Sequence, residues 1–349
     1  MCRWFTYLGN EDQLLEDLVL RPRHAIVKQV DEHFLPPGHT QFDPSQAAAA
    51  PSTANNTGSP NPQTNMDGFG VGWYTTAQCE YDPSYTSAVL GHAAQRPVVY
   101  KNVRPPLNDL VFASIARGTS TRAVLAHVRA APGLTPVVET NCHPFGFGRH
   151  LFAHNGVLGG FAAIRTAVLQ YLPLRYQVAI LGTTDAEHVA ALYFFRLCGE
   201  DGDWNALYNV GGMAKAMRET IELLEGMRRE FAGAGEGIQE DNVLNLVVTS
   251  GSSLVAVRYA SPKGLEPPSL YYSTTAGPTL NRKYKGAPDE ERSRDPVVAD
   301  DERMDKERHA KHVVVASEPS TLNPDEWELV EPSQMVLVDQ DLHLRLESL

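Results

Sequence analysis

Large apolar and β-branched residues recur in short bursts along the chain, and the first of them, residues 3–8 (RWFTYL), begins almost at the N-terminus. Trp4, Phe5, Thr6 and Tyr7 suit a pleated, half-buried surface, so this burst predicts a strand. Residues 124–128, 151–153, 244–249, 254–259 and 312–316 are further apolar runs of strand length. Residues 67–74 (DGFGVGWY) set glycines beside bulky side chains, which predicts a strand that another element approaches closely. Two stretches carry a helical period instead. Thr184-Asp185-Ala186-Glu187 has the S/T-x-x-E form of a capping box and opens an apolar-periodic helix reaching about Leu197, and residues 213–231 read as a second, longer helix.

Two segments carry neither period. Residues 36–65 are dominated by Ala, Pro, Ser, Thr, Asn and Gln, which predicts a disordered insertion, and residues 281–311 are dense in both charge signs, which predicts an exposed charged loop. Strands in succession, then two helices, then more strands exclude the regular βαβα alternation of a doubly wound fold. The expectation is an α+β protein with mixed or antiparallel sheets, forming one domain over residues 1–349.

Composition narrows the function classes. The 349 residues are 42% hydrophobic and 21% charged, an ordinary globular balance, and the formal charge of −12 excludes a general nucleic-acid binder, which needs clustered basic charge. Cys2, Cys79, Cys142 and Cys198 form no C-x-x-C pair and are too few for a disulfide framework. With no apolar run of membrane-spanning length and no secretory N-terminus, the expected location is the cytoplasm.

The residue with the most chemical content is Cys2. Removal of Met1 ahead of it exposes a thiol and an α-amine on one residue, and an N-terminal amine can act as base for its own side chain. A free thiol titrates at about 8.5 and an α-amine at about 7.7 to 8.0, so the proton transfer is feasible near neutrality. A cysteine at position 2 also occurs by chance, so its weight depends on the residues that accompany it. Those are Leu125-Ala126-His127-Val128-Arg129-Ala130-Ala131, Asn141-Cys142-His143-Pro144-Phe145, His154-Asn155-Gly156 and Gly182-Thr183-Thr184-Asp185.

With these motifs the chain resembles the class II glutamine amidotransferases, the Cys-type N-terminal-nucleophile hydrolases. Within them it is most similar to the amidotransferase-type subunits of fungal DUG glutathione-degrading complexes. The resemblance runs from Met1-Cys2-Arg3 through Arg21-Pro22-Arg23-His24 and residues 67–74 to Glu139-Thr140-Asn141-Cys142-His143-Pro144-Phe145 and Ala316-Ser317-Glu318-Pro319. It implies a four-layer αββα sandwich with two stacked sheets, and Cys2 as the nucleophile. It implies an oxyanion hole from the Asn155 side chain and the Gly156 N–H, Arg129 on the α-carboxylate of a γ-glutamyl substrate, and Asp185 on its α-ammonium. Each of these residues has a bland reading beside it. Asn-Gly is a common hairpin turn that would suit a strand ending at Ala153, an arginine after a strand is often a surface charge, and an Asp in the first turn of a helix is stabilised by the helix dipole alone.

Phe69, Gly70, Gly72 and Trp73 are expected to form a floor behind the nucleophile. His127, His143 and His154 have no metal-ligand spacing and read as structural histidines, and the resemblance implies no metal or other cofactor. The implied reaction is γ-glutamyl amide hydrolysis, with glutathione as substrate and a metallopeptidase-like partner subunit in a DUG-type complex. Other readings are a hydrolase of glutamine or of an ergothioneine-pathway γ-glutamyl conjugate, and a non-catalytic binding or regulatory protein of the same fold. Two departures from the family pattern stand out. Pro132 replaces a threonine that many relatives carry three residues after the arginine, and Ser250 stands where relatives often have Asp.

Overall fold

The computed structural model describes residues 2–30, 32–35, 57–60, 66–82, 92–131, 135–232, 241–287 and 303–349. In chain order the first half contains β1 (Arg3–Leu14), α1 (Leu15–Val19), β2 (Glu32–Phe34), β3 (Thr57–Pro60), β4 (Phe69–Thr75), α2 (Ala77–Glu80), β5 (Arg96–Asn102), α3 (Leu110–Gly118), β6 (Ser120–Val128), β7 (Phe145–Phe147) and β8 (His150–Val157). The second half contains α4 (Phe161–Tyr171), α5 (Leu174–Ala179), α6 (Asp185–Cys198), α7 (Val210–Ala232), β9 (Asn242–Thr249), β10 (Leu254–Arg258), β11 (Ala260–Ser261) and β12 (Tyr271–Ser273). It closes with β13 (His312–Ala316), β14 (Glu328–Leu329), β15 (Gln334–Val338) and β16 (Leu344–Ser348).

Two antiparallel sheets result. One has the order β14-β12-β13-β1-β6-β4-β5, the other β16-β15-β10-β9-β8-β7 with β11 attached to β9. The two-residue period of the strands divides their side chains between three cores. In β1, Phe5 and Tyr7 face outward with Val124, Ala126 and Val128 of β6 and pack against Leu15, Leu18 and Val19 of α1 and Phe112 and Ala116 of α3. Trp4 and Leu8, with Ala123 and Leu125, face inward and meet Leu151, Ala153, Val247 and Ala256 of the other sheet. The opposite face of that second sheet, with Phe152, Leu244, Leu246 and Val248, is covered by Ile164 of α4, Leu192 of α6 and Met217 of α7. Helix, sheet, sheet and helix therefore stack in four layers, the αββα sandwich expected.

Glycine is required where the sheets approach. A Cβ on Gly72 would lie 2.4 Å from the Leu151 Cδ1, and one on Gly70 2.1 Å from the His143 carbonyl oxygen. The glycines of this strand thus serve sheet packing.

Several boundaries differ from the sequence reading. β1 runs on to Leu14 through a register shift, and β8 runs on to Val157. Of the expected insertion at 36–65, residues 57–60 pair with β2 and the remainder lies outside the described residues. Of the segment 281–311, Asn281, Tyr284 and Ala287 are buried, while Lys283, Lys285, Gly286, residues 305–308 and Lys311 are exposed. The Arg282 Nε donates to Asp17 (2.8 Å), its Nη2 to Glu16 (2.6 Å), and the Tyr284 hydroxyl to Glu11 (2.6 Å). Residues 288–302 lie outside the described residues. Among the described residues no helix is long and apolar enough to cross a membrane.

Candidate active site

Cys2 immediately precedes β1, and the pairing of Arg3 with Val128 sets it opposite the end of β6. The Ala130 N–H donates to the Cys2 Sγ (3.3 Å), and the Sγ lies 3.5 Å from the Ala130 carbonyl oxygen. Burial pushes the thiol up from its ordinary range, against the opposing pull of the Ala130 N–H and of the Arg129 and Arg3 charges. The resting group near pH 7 is therefore the thiol, and attack on a carbonyl needs a base at hand.

Asn155 and Gly156 come from the other sheet. They do not form a hairpin turn: both lie inside β8 and pair with Asn245 and Leu244 of β9. Gly156 has φ +152°, and a Cβ there would stand 1.9 Å from the Val243 carbonyl oxygen, so the strand crosses at this point only without a side chain. The Asn155 Nδ2 donates to the Ser317 Oγ (3.4 Å), and its Oδ1 is buried without a partner.

Arg129 is only 2% exposed. One guanidinium nitrogen, Nη1, donates to the carbonyls of Pro136 (3.2 Å) and Asp67 (3.4 Å), while Nη2 is buried and unpaired. No carboxylate forms an ion pair with it among the described residues. An uncompensated buried cation is costly unless an anion enters beside it. Asp185 opens α6 behind the N-cap Thr184, whose hydroxyl accepts from the Glu187 N–H (3.4 Å). The reciprocal arm of the capping box reaches further back, the Glu187 carboxylate accepting from the N–H groups of Leu181 and Gly182. The Asp185 carboxylate accepts from Leu158 N–H and Ala186 N–H, both at 2.8 Å, which fixes its direction and leaves acceptor capacity free.

One cavity of about 210 Å³ brings these groups together, with Cys2, Arg129, Gly156 and Asp185 all in its wall. Asn155 is fully buried beneath it, and none of Phe69, Gly70, Gly72 or Trp73 lines it. His143 and His154 do line it. The rings of His127 and His143 lie 4.0 Å apart, and the Nε2 atoms of His127 and His154 bond the carbonyls of His154 and Val243. Burial lowers all three, His127 to about 3, so each is neutral near pH 7. Pro132 lies outside the described residues.

Three residues beyond those read from the sequence organise the site. Asp67 accepts from the Ala131 N–H (2.8 Å) and so braces the strand end carrying Arg129. The Asn141 side chain joins Pro136 to Thr183, tying the arginine loop to the start of α6, and Ser317 holds Asn155. Asn141 and Ser317 stood within quoted motifs, and Asp67 within the glycine-rich stretch, but nothing local marked their partners.

The class II glutamine amidotransferase family model matches residues 52–346. The chain belongs to this family. It is 30% identical over 344 residues to "Probable glutamine amidotransferase DUG3" of Saccharomyces cerevisiae, covering 97% of this chain and 81% of the yeast protein. It is 25% identical over 228 residues to "Gamma-glutamyl-hercynylcysteine sulfoxide hydrolase" of Mycolicibacterium smegmatis, covering 65% of this chain and 77% of that protein. A solved class-II domain protein from Silicibacter pomeroyi has the same fold, with a TM-score of 0.55 at 20% identity over 99% of both chains. The two-sheet sandwich is thus a scaffold this class II amidotransferase chain shares with that solved relative.

Proposed function

We propose that the protein hydrolyses the γ-glutamyl amide bond of glutathione, releasing glutamate and Cys-Gly, as one subunit of a complex with a metallopeptidase-like partner. The observation that carries the hydrolytic reading is that one cavity wall holds a thiol, an arginine whose Nη2 is unpaired among the described residues, and a carboxylate. Those charges complement the α-carboxylate and α-ammonium of a glutamyl group, and a substrate anchored by both is held with its γ-carbonyl toward Cys2.

In the proposed sequence Met1 is removed and the freed α-amine takes the Cys2 thiol proton as sulfur attacks the carbonyl carbon of the γ-glutamyl amide. The Asn155 Nδ2–H and the Gly156 N–H take the charge on the carbonyl oxygen. The proton passes to the departing nitrogen, the C–N bond breaks, and water hydrolyses the glutamyl thioester to glutamate and free thiol. Loss of one such oxyanion donor costs about 10²- to 10³-fold in kcat. The choice of glutathione and of the partner follows from the resemblance to the amidotransferase-type subunits of DUG complexes; the yeast relative is itself named only as a probable glutamine amidotransferase.

The mycobacterial relative is named for another γ-glutamyl conjugate and favours a second reading in which only the leaving group differs. One experiment addresses both. The purified protein is mapped by peptide mass before and after a glutamine-like electrophile, then assayed with glutathione, glutamine and γ-glutamyl-hercynylcysteine sulfoxide, alone and with the candidate partner. The expected result is an absent Met1, a single adduct on Cys2 and turnover of glutathione above the others. A retained Met1, or labelling spread over Cys79, Cys142 and Cys198, overturns the nucleophile assignment; faster turnover of the sulfoxide overturns the substrate.

A further inference from the structure

The segment Ala316-Ser317-Glu318-Pro319 takes no part in the chemistry just described, and neither Ser317 nor Glu318 lines the cavity. The Ser317 side chain nevertheless reaches both β1 and β8, and that of Glu318 reaches β1. The Ser317 Oγ accepts from the Trp4 N–H (3.0 Å) on the nucleophile's strand and from the Asn155 Nδ2 (3.4 Å) on the opposite sheet, while the Ser317 N–H donates to the Trp4 carbonyl (2.9 Å). Glu318 is fully buried. Its Oε1 accepts from the Arg3 Nε (2.6 Å) and faces the His33 Nδ1 (2.9 Å), and its Oε2 accepts from the Phe34 N–H (2.7 Å). Held in this way, the Arg3 guanidinium donates through Nη1 to the carbonyl of Cys2 itself (2.9 Å).

We propose that Ser317 and Glu318 are positioning residues for the hydrolysis, Ser317 orienting the oxyanion donor and Glu318, through Arg3, fixing the backbone of the nucleophile. The inference rests on the reading of Cys2 as nucleophile and Asn155 as oxyanion donor. A carboxamide has two N–H bonds on one nitrogen. Ser317 engages one of them, which prevents the amide from turning its oxygen toward a developing oxyanion and leaves the other hydrogen for that charge. Because the same hydroxyl also holds Trp4, donor and nucleophile are referenced to a single atom although they come from different sheets. Glu318 supplies the counter-charge and the Nε acceptor that set the buried Arg3 guanidinium at the Cys2 carbonyl.

The test uses the full chain with Ser317→Ala and Glu318→Gln variants. For each, kcat and KM on the γ-glutamyl substrate are measured beside thermal unfolding and the rate of Cys2 alkylation by iodoacetamide, a displacement that uses no oxyanion donor. For Ser317→Ala the expected result is a kcat lower by about tenfold to 100-fold, less than outright loss of a donor, at unchanged KM and unchanged alkylation. For Glu318→Gln, kcat falls at unchanged KM and the alkylation profile moves to lower pH, because the Arg3 charge beside the thiol is no longer neutralised. If Glu318→Gln does not fold, Ser317→Ala decides. A wild-type kcat in Ser317→Ala overturns the inference, and so does a fall in kcat matched by a rise in KM or slower alkylation. Wild-type protein that neither turns over the substrate nor is alkylated at Cys2 overturns instead the reading on which the inference rests.

Discussion

Arg129 divides its guanidinium between the loop it stands in and the space in front of it: Nη1 holds two carbonyls, and Nη2 has no partner among the described residues. A lysine at this position keeps the charge but has one nitrogen, which cannot hold the loop and a substrate carboxylate together. With a charged hydrogen bond worth about 1.5 to 3 kcal/mol, Arg129→Lys is expected to raise KM for γ-glutamyl substrates by about tenfold to 100-fold, with a smaller change in kcat, in steady-state assays. Equal loss in kcat and none in KM would remove Arg129 from substrate recognition. Every residue proposed for the site was visible in the sequence, but as one of two readings, because a strand-end arginine and a first-turn aspartate look the same with and without a ligand. What distinguishes them is the shared cavity wall, a property of the folded chain. Ser317 was less legible still: its bond to Asn155 spans 162 positions, and a contact between distant segments leaves no period in a sequence.

Strands were legible because most are buried on both faces and so read as short apolar runs, and the two long helices because of a capping box in one and an apolar helical period in the other. α3 was not, since it buries only Phe112 and Ala116 while leaving Leu110 84% exposed, so its apolar residues do not mark its inner face. α4 buries only Ile164 and Val168, too narrow a stripe to stand out. Asn155-Gly156 was ambiguous for another reason: whether the dipeptide turns or continues depends on β9, which supplies the paired partners Asn245 and Leu244. At this scale Glu318 makes a measurable connection, joining β1, β2 and the chain after β13. Burial alone would raise its carboxyl; the Arg3 charge and the His33 and Phe34 donors overcome that and hold it down at about 2. A folded value below the ordinary carboxylate value of about 4.3 means stabilisation that is complete above that pH and is lost as pH falls through about 2. The stability difference between the wild type and Glu318→Gln is therefore expected to be about 3 to 5 kcal/mol near neutrality, as for a broken buried pair. It is expected to shrink as pH falls from about 4.3 toward 2. Urea unfolding at a series of pH values measures it, and a difference independent of pH would show that the carboxylate charge contributes nothing.

The whole molecule places Cys2 at the start of one sheet and Asn155 in the other, so under the proposed mechanism activity depends on how the sheets are seated. Trp4 and Tyr74 both hydrogen-bond across to the other sheet, at different distances from Cys2. The Trp4 indole N–H donates to the Asn245 carbonyl (3.2 Å), opposite Asn155, while the Tyr74 hydroxyl reaches the carbonyls of Arg149 and Thr249 (both 2.9 Å). Tyr74 lies five residues along β4 from Phe69, which pairs with Val128 at the Cys2 end, roughly 16 Å away at about 3.3 Å per residue. Removing either donor leaves buried carbonyls unsatisfied and costs about 1 to 3 kcal/mol. Trp4→Phe and Tyr74→Phe are thus expected to lower the unfolding temperature by similar amounts but to separate in kinetics. kcat should fall in Trp4→Phe, where the strand that follows Cys2 loses its indole link to the strand paired with Asn155, and stay near wild type in Tyr74→Phe. Equal losses of kcat in the two variants would mean that turnover follows global stability instead of the seating of the sheets at the cavity, whereas a loss confined to Trp4→Phe ties catalysis to the end of the sandwich where the two strands meet.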